Sequence, residues 1–323
     1  LAVVSGGSLS ATGLITIGAA NDTTEIEAVN LSGNISSDSD SSGNENLSFL
    51  SNSSGGSVVT FAASGISLNA GTGSISASNV DFAAGSNNPS FLSDGGVSWN
   101  ALTASSGTLT LAPVTAGLAI NVAGSGGYAI SDSTLDGIAN EFTKVTIGNS
   151  PAGSVSIGAG EALNTTDAGG GARTWDLEII GGASGSFVVG TSNTVTLGTN
   201  QALILDSASV NITQTNQILG GGELELKGAG DVTLTNASNN LSILKASNSG
   251  NLNYRDTDAI DLGTITVAVL TVKAGGALTD SGSLAITGLA DLTGSTITIN
   301  DSFDAGSLTF NSAGAVVVAE DSA

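Results

Sequence analysis

Residues 275–301 read GGALTDSGSLAITGLADLTGSTITIND. Apolar side chains alternate with Ser and Thr in short bursts, Leu284 with Ile286 and then Ile297 with Ile299, and each burst closes on Gly, Asp or Asn. A period of two sends successive side chains to opposite faces of an extended chain, so the stretch predicts strands. These strands are too short, and too poor in aromatic residues, to fill the core of an ordinary sandwich. An array of immunoglobulin-like sandwiches would need longer strands and larger core aromatics.

The same bursts recur along the chain as ISL at 66–68, LTL at 109–111, VSI at 155–157, VTL at 195–197, LIL at 203–205, LEL at 224–226 and VTL at 232–234. Whole units also align: GDVTLTN begins at Gly230, GNLNYRD at Gly250 and AVLTVKA at Ala268, steps of 20 and 18 residues. A loose period near 20 holding two or three strands is the mark of a solenoid. In a parallel β-solenoid each coil lies about 4.8 Å from the next, strand hydrogen bonds run between coils, and inward side chains pack on their counterparts above and below. The predicted fold is therefore all-β, a parallel β-helix with coils of about 20 residues, forming one solenoid over residues 1–323, less regular over 1–108 and more regular over 109–323. Leu284, Ile286, Ile297, Ile299, Leu308 and Phe310 should point inward. With 4% aromatic residues the tube is expected to be too narrow for bulky rings, and Gly, Asn and Asp are expected at positive-φ corners. One stretch breaks the alternation. In SDSTLDGIANEFTKVTIG, residues 131–148, Leu135, Ile138, Phe142 and Val145 are spaced at three and four, and Ser133 with Asp136 has the form of a capping box. A short helical corner near 133–143 follows, limited to about two turns by Gly137.

The chain of 323 residues carries 28 acids against six Lys or Arg, a net charge of -22, and no cation precedes Lys144. Residues 1–143 hold eleven acids, and the remainder holds seventeen acids and six bases. Nucleic acid is not an expected partner, because phosphate binding needs clustered Lys and Arg, and an anionic membrane surface is disfavoured for the same reason. The acidic balance reads first as a solubility device. With no Cys the fold has no disulfide to lean on. No run of apolar residues is long enough to span a bilayer, and the chain, which opens on LAVVSGGSLS without Met, reads as a processed product or a piece of something longer.

Catalytic groups are sparse. Without His or Cys, the Ser-His-Asp and Cys-His arrangements and the usual zinc sites are excluded. Carboxylate pairs remain, Glu223 with Glu225 and Asp256 with Asp258, placed two apart on one strand face, the kind of pair that serves glycoside hydrolysis but is more often a solvated surface feature. Calcium is the better site hypothesis: DSDSSGNENLSF, from Asp38, sets Asp38, Asp40 and Ser42 at alternate positions with Gly43 sixth, although Phe49 stands where an EF-hand has its bidentate Glu. GAGDVTL at 228–234 has the form of half a calcium-binding nonapeptide and is not repeated. Outward Thr pairs, among them Thr194 with Thr196 and Thr233 with Thr235, follow from β-propensity.

LTLAPVTAGLAINVAGSGGYAISDSTLDGIANEFTKVTIGNSPAGSVSI, residues 109–157, and DAIDLGTITVAVLTVKAGGALTDSGSLAITGLADLTGSTITIND, residues 258–301, resemble repeat regions of large bacterial exoproteins of the filamentous haemagglutinin type. There a strand, a Pro-containing turn, a Gly-rich stretch and an acidic corner lead to VTIG. The resemblance covers these two blocks clearly and the first hundred residues weakly. It implies a right-handed parallel β-helix, secretion to the surface of a Gram-negative-like bacterium, and a role in adhesion or surface structure. The expected function is thus a non-enzymatic extracellular structural protein or adhesin segment; a carbohydrate-active β-helix that binds or cleaves polysaccharide is the alternative. A solenoid leaves an open strand edge at each end, so the apolar terminal runs Leu1, Val3 and Val4, and Val316, Val317 and Val318, are the expected contacts for copies associating end to end or laterally, beside a carbohydrate or cell-surface ligand.

The acidic loop generates a first prediction. Calcium bound by Asp38, Asp40 and Ser42 should raise the melting temperature by mass action over that in chelator, and superimposable melts in chelator and in excess calcium would remove the site.

Overall fold

A computed structural model describes residues 8–10, 15–17, 29–31, 34–37, 46–49, 59–61, 64–82, 88–166 and 173–319. Short alternating segments form short strands, every strand pair among the described residues is parallel, and partners lie one coil apart in sequence. The architecture is a parallel β-solenoid, with its core inside the stack of coils. One inward column runs Ile35, Leu68, Phe91, Leu111, Ile147, Ile179, Leu205, Leu226, Ala246, Ile265, Leu284 and Phe303, each the register partner of the next and each buried. A second runs through Phe187, Ile212, Val232, Leu252, Leu270 and Ala290. The units beginning at Gly230, Gly250 and Ala268 therefore stack in register as their sequences align.

Coil length is uneven. Leu109 pairs with Val145 and Val145 with Leu177, steps of 36 and 32 residues, whereas Leu203 to Leu224, Leu224 to Leu244 and Leu244 to Leu262 are steps of 21, 20 and 18. The extra length of the long coils lies in corners. One corner holds a helix, Asp132–Asp136, shorter than expected and capped by Ser131 instead of Ser133: the Ser131 Oγ accepts the Thr134 N–H at 3.1 Å. The helix stops because the chain must close on the coil below. A Cβ at Gly137 would stand 2.7 Å from the Trp99 ring, and the next residue, Ile138, bridges to Leu102.

Two expectations are corrected. The tube is not too narrow for rings: of 2 Trp, 2 Tyr and 8 Phe, all but Phe310 are buried. Phe49, Phe61, Phe82, Phe91 and Trp99 form one run with centroids 5.7, 5.0, 6.0 and 5.4 Å apart. Phe61 and Phe82 are register partners, so the spacing of the coils itself sets their rings at a favourable stacking distance. Of the Asn and Asp residues expected at positive φ, only Asn200 adopts it among the described residues. Among the described residues that role falls to Gly, with only Ala123 and Asn200 beside it. The Asx side chains act as clamps instead: Asn211 Oδ1 accepts the Asp231 N–H at 2.9 Å, and Asp231 Oδ1 accepts the Asn251 N–H at 2.8 Å, each bond reaching one coil onward.

Leu284, Ile286, Ile297 and Ile299 are buried, as their alternation predicts, but Leu308 is half-buried and Phe310 is 55% exposed. Phe310 is the register partner of buried Leu292 and so stands in the inward phase, but no described coil lies beyond it. Ile299→Asp should cost on the order of 4 kcal/mol, because it sets an unpaired charge in a dry interior, and a chemical melt matching that of the parent would show the register to be wrong.

Candidate functional site

The outer face of the strands that carry the first column holds a cluster of ion pairs. Lys144 Nζ lies 2.7 Å from Glu178 Oε2, which also accepts from Thr146 Oγ1 at 3.1 Å, while Lys227 reaches Glu178 at 3.8 Å and Glu225 at 3.3 Å. Lys245 holds Glu223 at 2.7 Å. Burial works to raise the Glu178 pKa, but the hydrogen bond and charge of Lys144 outweigh it, and the carboxyl titrates below its ordinary value. Asp206, close by, is pushed upward by burial and by the Glu178 charge. The strip joins coils far apart in sequence; nothing local in the sequence around Lys144 or Glu178 announces the pairing.

At the helical corner, buried Arg173 donates to the Ile138 carbonyl at 3.0 Å and to Asp136 Oδ1 at 3.1 Å. Half-buried Asp132 accepts the Asn164 N–H at 2.8 Å, and its own N–H donates to Glu161 Oε1 at 2.8 Å. Burial, with Asp136 and Glu161 nearby, pushes the Asp132 carboxyl up to about 6.

The two sequence-derived acid pairs fare differently. Glu223 and Glu225 do share an outward face, but each is engaged by a lysine. Asp256 is not an outward group. It is buried, accepts from Tyr254 Oη at 2.8 Å and from the Leu241 and Asp258 N–H groups at 3.0 and 2.9 Å, and burial raises its pKa, while Asp258 lies exposed past the end of the strand. A groove of about 370 Å³ runs beside Asp176, Asn200, Gln201, Glu223, Ile243 and Lys245. Its carboxylates already have partners, since Asp176 Oδ1 accepts the Ala202 N–H at 2.9 Å and Glu223 binds Lys245. Among the described residues no group of three or more acids is placed to hold a metal. Asp38, Asp40 and Ser42 lie outside the described residues, as do Leu1, Val3 and Val4.

The last described coil offers a different surface. Val316–Val318 pairs with Ile297–Ile299, and its far edge faces no other strand among the described residues. Val316 and Val318 pack on the end of the core, Val317 is 52% exposed, and exposed Phe310 stands on the neighbouring column.

Stacked parallel coils, an apolar interior and a charged outer strip define a repeat solenoid. A family described as repeats of unknown function (DUF5649) matches residues 184–245 and 249–305. No curated protein and no solved structure matches the chain. The two matched segments begin just before Phe187 and Leu252, which stand on one column three coils apart, through Ile212 and Val232. One family unit thus corresponds to about three coils, or roughly 14 Å of stack at the usual strand spacing. No helix among the described residues is long and apolar enough to cross a membrane.

The raised Asp132 pKa has a defined sign. A carboxyl whose folded pKa lies above its unfolded value is destabilising when charged, so its contribution is favourable at low pH and is lost as pH rises from 3.8 through about 6. Asp132→Asn, which keeps an oxygen for the Asn164 N–H, should raise Tm at neutral pH by about 1–3 °C and leave it unchanged near pH 4. A Tm that falls at both pH values would show that the charge contributes favourably.

Proposed function

We propose that this chain is a non-enzymatic structural or adhesin segment of the filamentous haemagglutinin-like kind, exported to a bacterial cell surface, where it serves as a stiff rod and assembles end to end with further copies. The observation that carries this reading is the unbroken inward column from Ile35 to Phe303, in which each residue is the register partner of the next and each is buried. A stack in which every coil is bonded to both neighbours resists bending along its whole length, and its function needs length and rigidity more than a cleft. The disposition of the acids supports the non-enzymatic reading. Retaining and inverting glycosidases need two carboxylates facing one another across a substrate, but Glu223 and Glu225 are held by lysines and Asp256 is turned into the core.

A head-to-tail contact that does not close generates a filament, and a second copy of this chain is the coil donor we assign to the edge. Negative-stain microscopy of the purified chain should show rods of one width and several lengths. Phe310→Glu should leave the melting temperature unchanged, because the side chain is already exposed, and reduce the rods to single-chain length. Multi-length rods persisting in that variant would overturn end-to-end growth, and surface labelling of the source cells that finds the protein only in the cytosol would overturn the surface role.

A further inference from the structure

We propose that the groove beside Asp176 and Glu223 binds a neutral polysaccharide. Its shape follows from the stack. Asp176, Ala202, Glu223 and Ile243 follow one another on successive coils of one outward column: the Asp176 Oδ1 accepts the Ala202 N–H, and Ala202, Glu223 and Ile243 are register partners. Ala is a poor strand former, and here its small side chain leaves a notch between two carboxylates that stand two coils, or about 10 Å, apart. Gly220, Gly221 and Gly222 lie beside it. The backbone requires the outer two, because Gly220 has φ +121° and a Cβ on Gly222 would stand 2.6 Å from the Gln201 carbonyl oxygen. Gly221 is forced by neither cause: its φ is not positive, and its Cβ would meet only Thr199, at 3.5 Å, an ordinary contact. A glycine that the fold does not demand thus lines the groove and keeps it open. Asn200, on the same rim, has φ +69°, a conformation that Gly adopts without strain. Asn in that place keeps an amide at the groove, and the amide has no partner among the described residues.

The donors and acceptors at the groove decide the class of ligand. Each carboxylate commits one oxygen within the protein, Asp176 Oδ1 to the Ala202 N–H at 2.9 Å and Glu223 Oε2 to Lys245 at 2.7 Å, which leaves Asp176 Oδ2 and Glu223 Oε1 as acceptors. Lys245 is held by that ion pair and by its stem, which lies so close over Gly263 that a Cβ there would stand 2.6 Å from the Lys245 Cγ. Its remaining N–H groups can donate. Lys245 disfavours a cation in the groove, and the two carboxylates disfavour an anion. Uncharged hydroxyls suit both, since each O–H can donate to a carboxylate while its oxygen accepts from the ammonium or from the Asn200 amide. At about 370 Å³ the groove falls within the range of small-molecule sites, roughly 300–1,000 Å³. The notch also recurs. Four coils further along the same sheet Ala285 lies between its register partners Thr266 and Asp304 and lines a second groove of about 380 Å³. Two polar notches roughly 19 Å apart on one outer face fit a chain of sugars better than a single sugar.

The inference deepens the adhesin reading above and rests on it for its setting. It is tested by affinity electrophoresis of the purified chain, in the Phe310→Glu background, through native gels containing mannan, galactan or dextran, with alginate as the anionic counterpart and a polymer-free gel as reference. The expected result is retardation by at least one of the three neutral polymers and none by alginate. Gly221→Leu sets a side chain in the groove and should weaken retardation by about 10-fold or more at an unchanged Tm. Asp176→Asn keeps an oxygen for the Ala202 N–H and should weaken it by about fivefold. Retardation in none of the neutral gels, retardation in alginate alone, or undiminished retardation of a Gly221→Leu chain that melts with the parent overturns the proposal. If Gly221→Leu melts below the parent, Asp176→Asn decides, and its undiminished retardation overturns the proposal equally. Because binding is read on the purified chain, its failure leaves the rod and surface tests standing, and failure of either of those leaves the retardation standing.

Discussion

The strand-to-strand hydrogen bond between successive coils is the constraint from which the rest of this structure follows. It fixes neighbouring coils about 4.8 Å apart and places each residue directly over its register partner. A side chain is therefore selected less by its own strand than by the column it joins. Leu205 sits between Ile179 and Leu226, and all three are fully buried because each covers the other two. The same spacing that lets aliphatic residues interlock brings Phe61 and Phe82 to 5.0 Å in a stacked arrangement, so a ring is accommodated where its column supplies another ring. Close passage of backbone over backbone also explains where only Gly fits. At Gly228, with φ +118°, an added Cβ would fall on the Ser207 carbonyl of the coil below.

Stacking imposes a second condition on charge. Two carboxylates one coil apart repel by about 1 kcal/mol in water and about 3 kcal/mol near a protein surface, and an acidic solenoid could accumulate that repulsion at every step. Among the described strands this chain, at -22, avoids it by placing Thr, Lys or an apolar residue opposite each acid in register. Hydroxyl partners do more than separate charge: Thr103, Thr279 and Thr309 each donate to the Asp of the preceding coil, at 2.8, 2.8 and 2.9 Å. High acidity and tight stacking are thus compatible because the acids are dispersed by column, and Thr on the outer faces has a structural role beyond strand propensity.

Much of this architecture is legible in the sequence because period-two alternation is a local signal and coil length is a repeated one. VTL at 232–234 and LEL at 224–226 are strands in phase with their burial, and the alignment of Gly230, Gly250 and Ala268 is the physical register. What escapes the sequence depends on which residue lies above which. Asp256 continues the alternation of Leu252 and Tyr254 and so points inward; as an acid beside Arg255 it reads as a surface group until its phenol and amide partners are seen. The Lys144–Glu178 pair spans a coil whose length no repeat predicts. Phe310 has the inward phase that the pattern assigns it, and its exposure depends on the absence of a described coil beyond it, which alternation does not encode.

Three buried polar residues, Gln201, Asn239 and Asp256, follow from the same constraint, near the corners where coils of unequal length are joined. When a coil shortens, a backbone N–H at its corner loses the carbonyl that an equal coil would have supplied, and a buried N–H without an acceptor is costly. Side chains take the missing place. Gln201 Oε1 accepts from Gly198 N–H at 3.0 Å while its Nε2 donates to the Trp175 carbonyl at 3.0 Å. Asn239 Oδ1 accepts from Ile218 N–H at 2.9 Å, and its Nδ2 donates to the Arg255 carbonyl at 3.1 Å. Asp256 accepts from Leu241 N–H, one step further along the stack. These three residues stand between Trp175 and Asp256, the interval over which the coil contracts from 26 residues to 18. Their burial, which in a globular enzyme would invite a search for catalysis, is accounted for by backbone bonding: they act as surrogate backbone that lets the cross-section change without breaking the ladder.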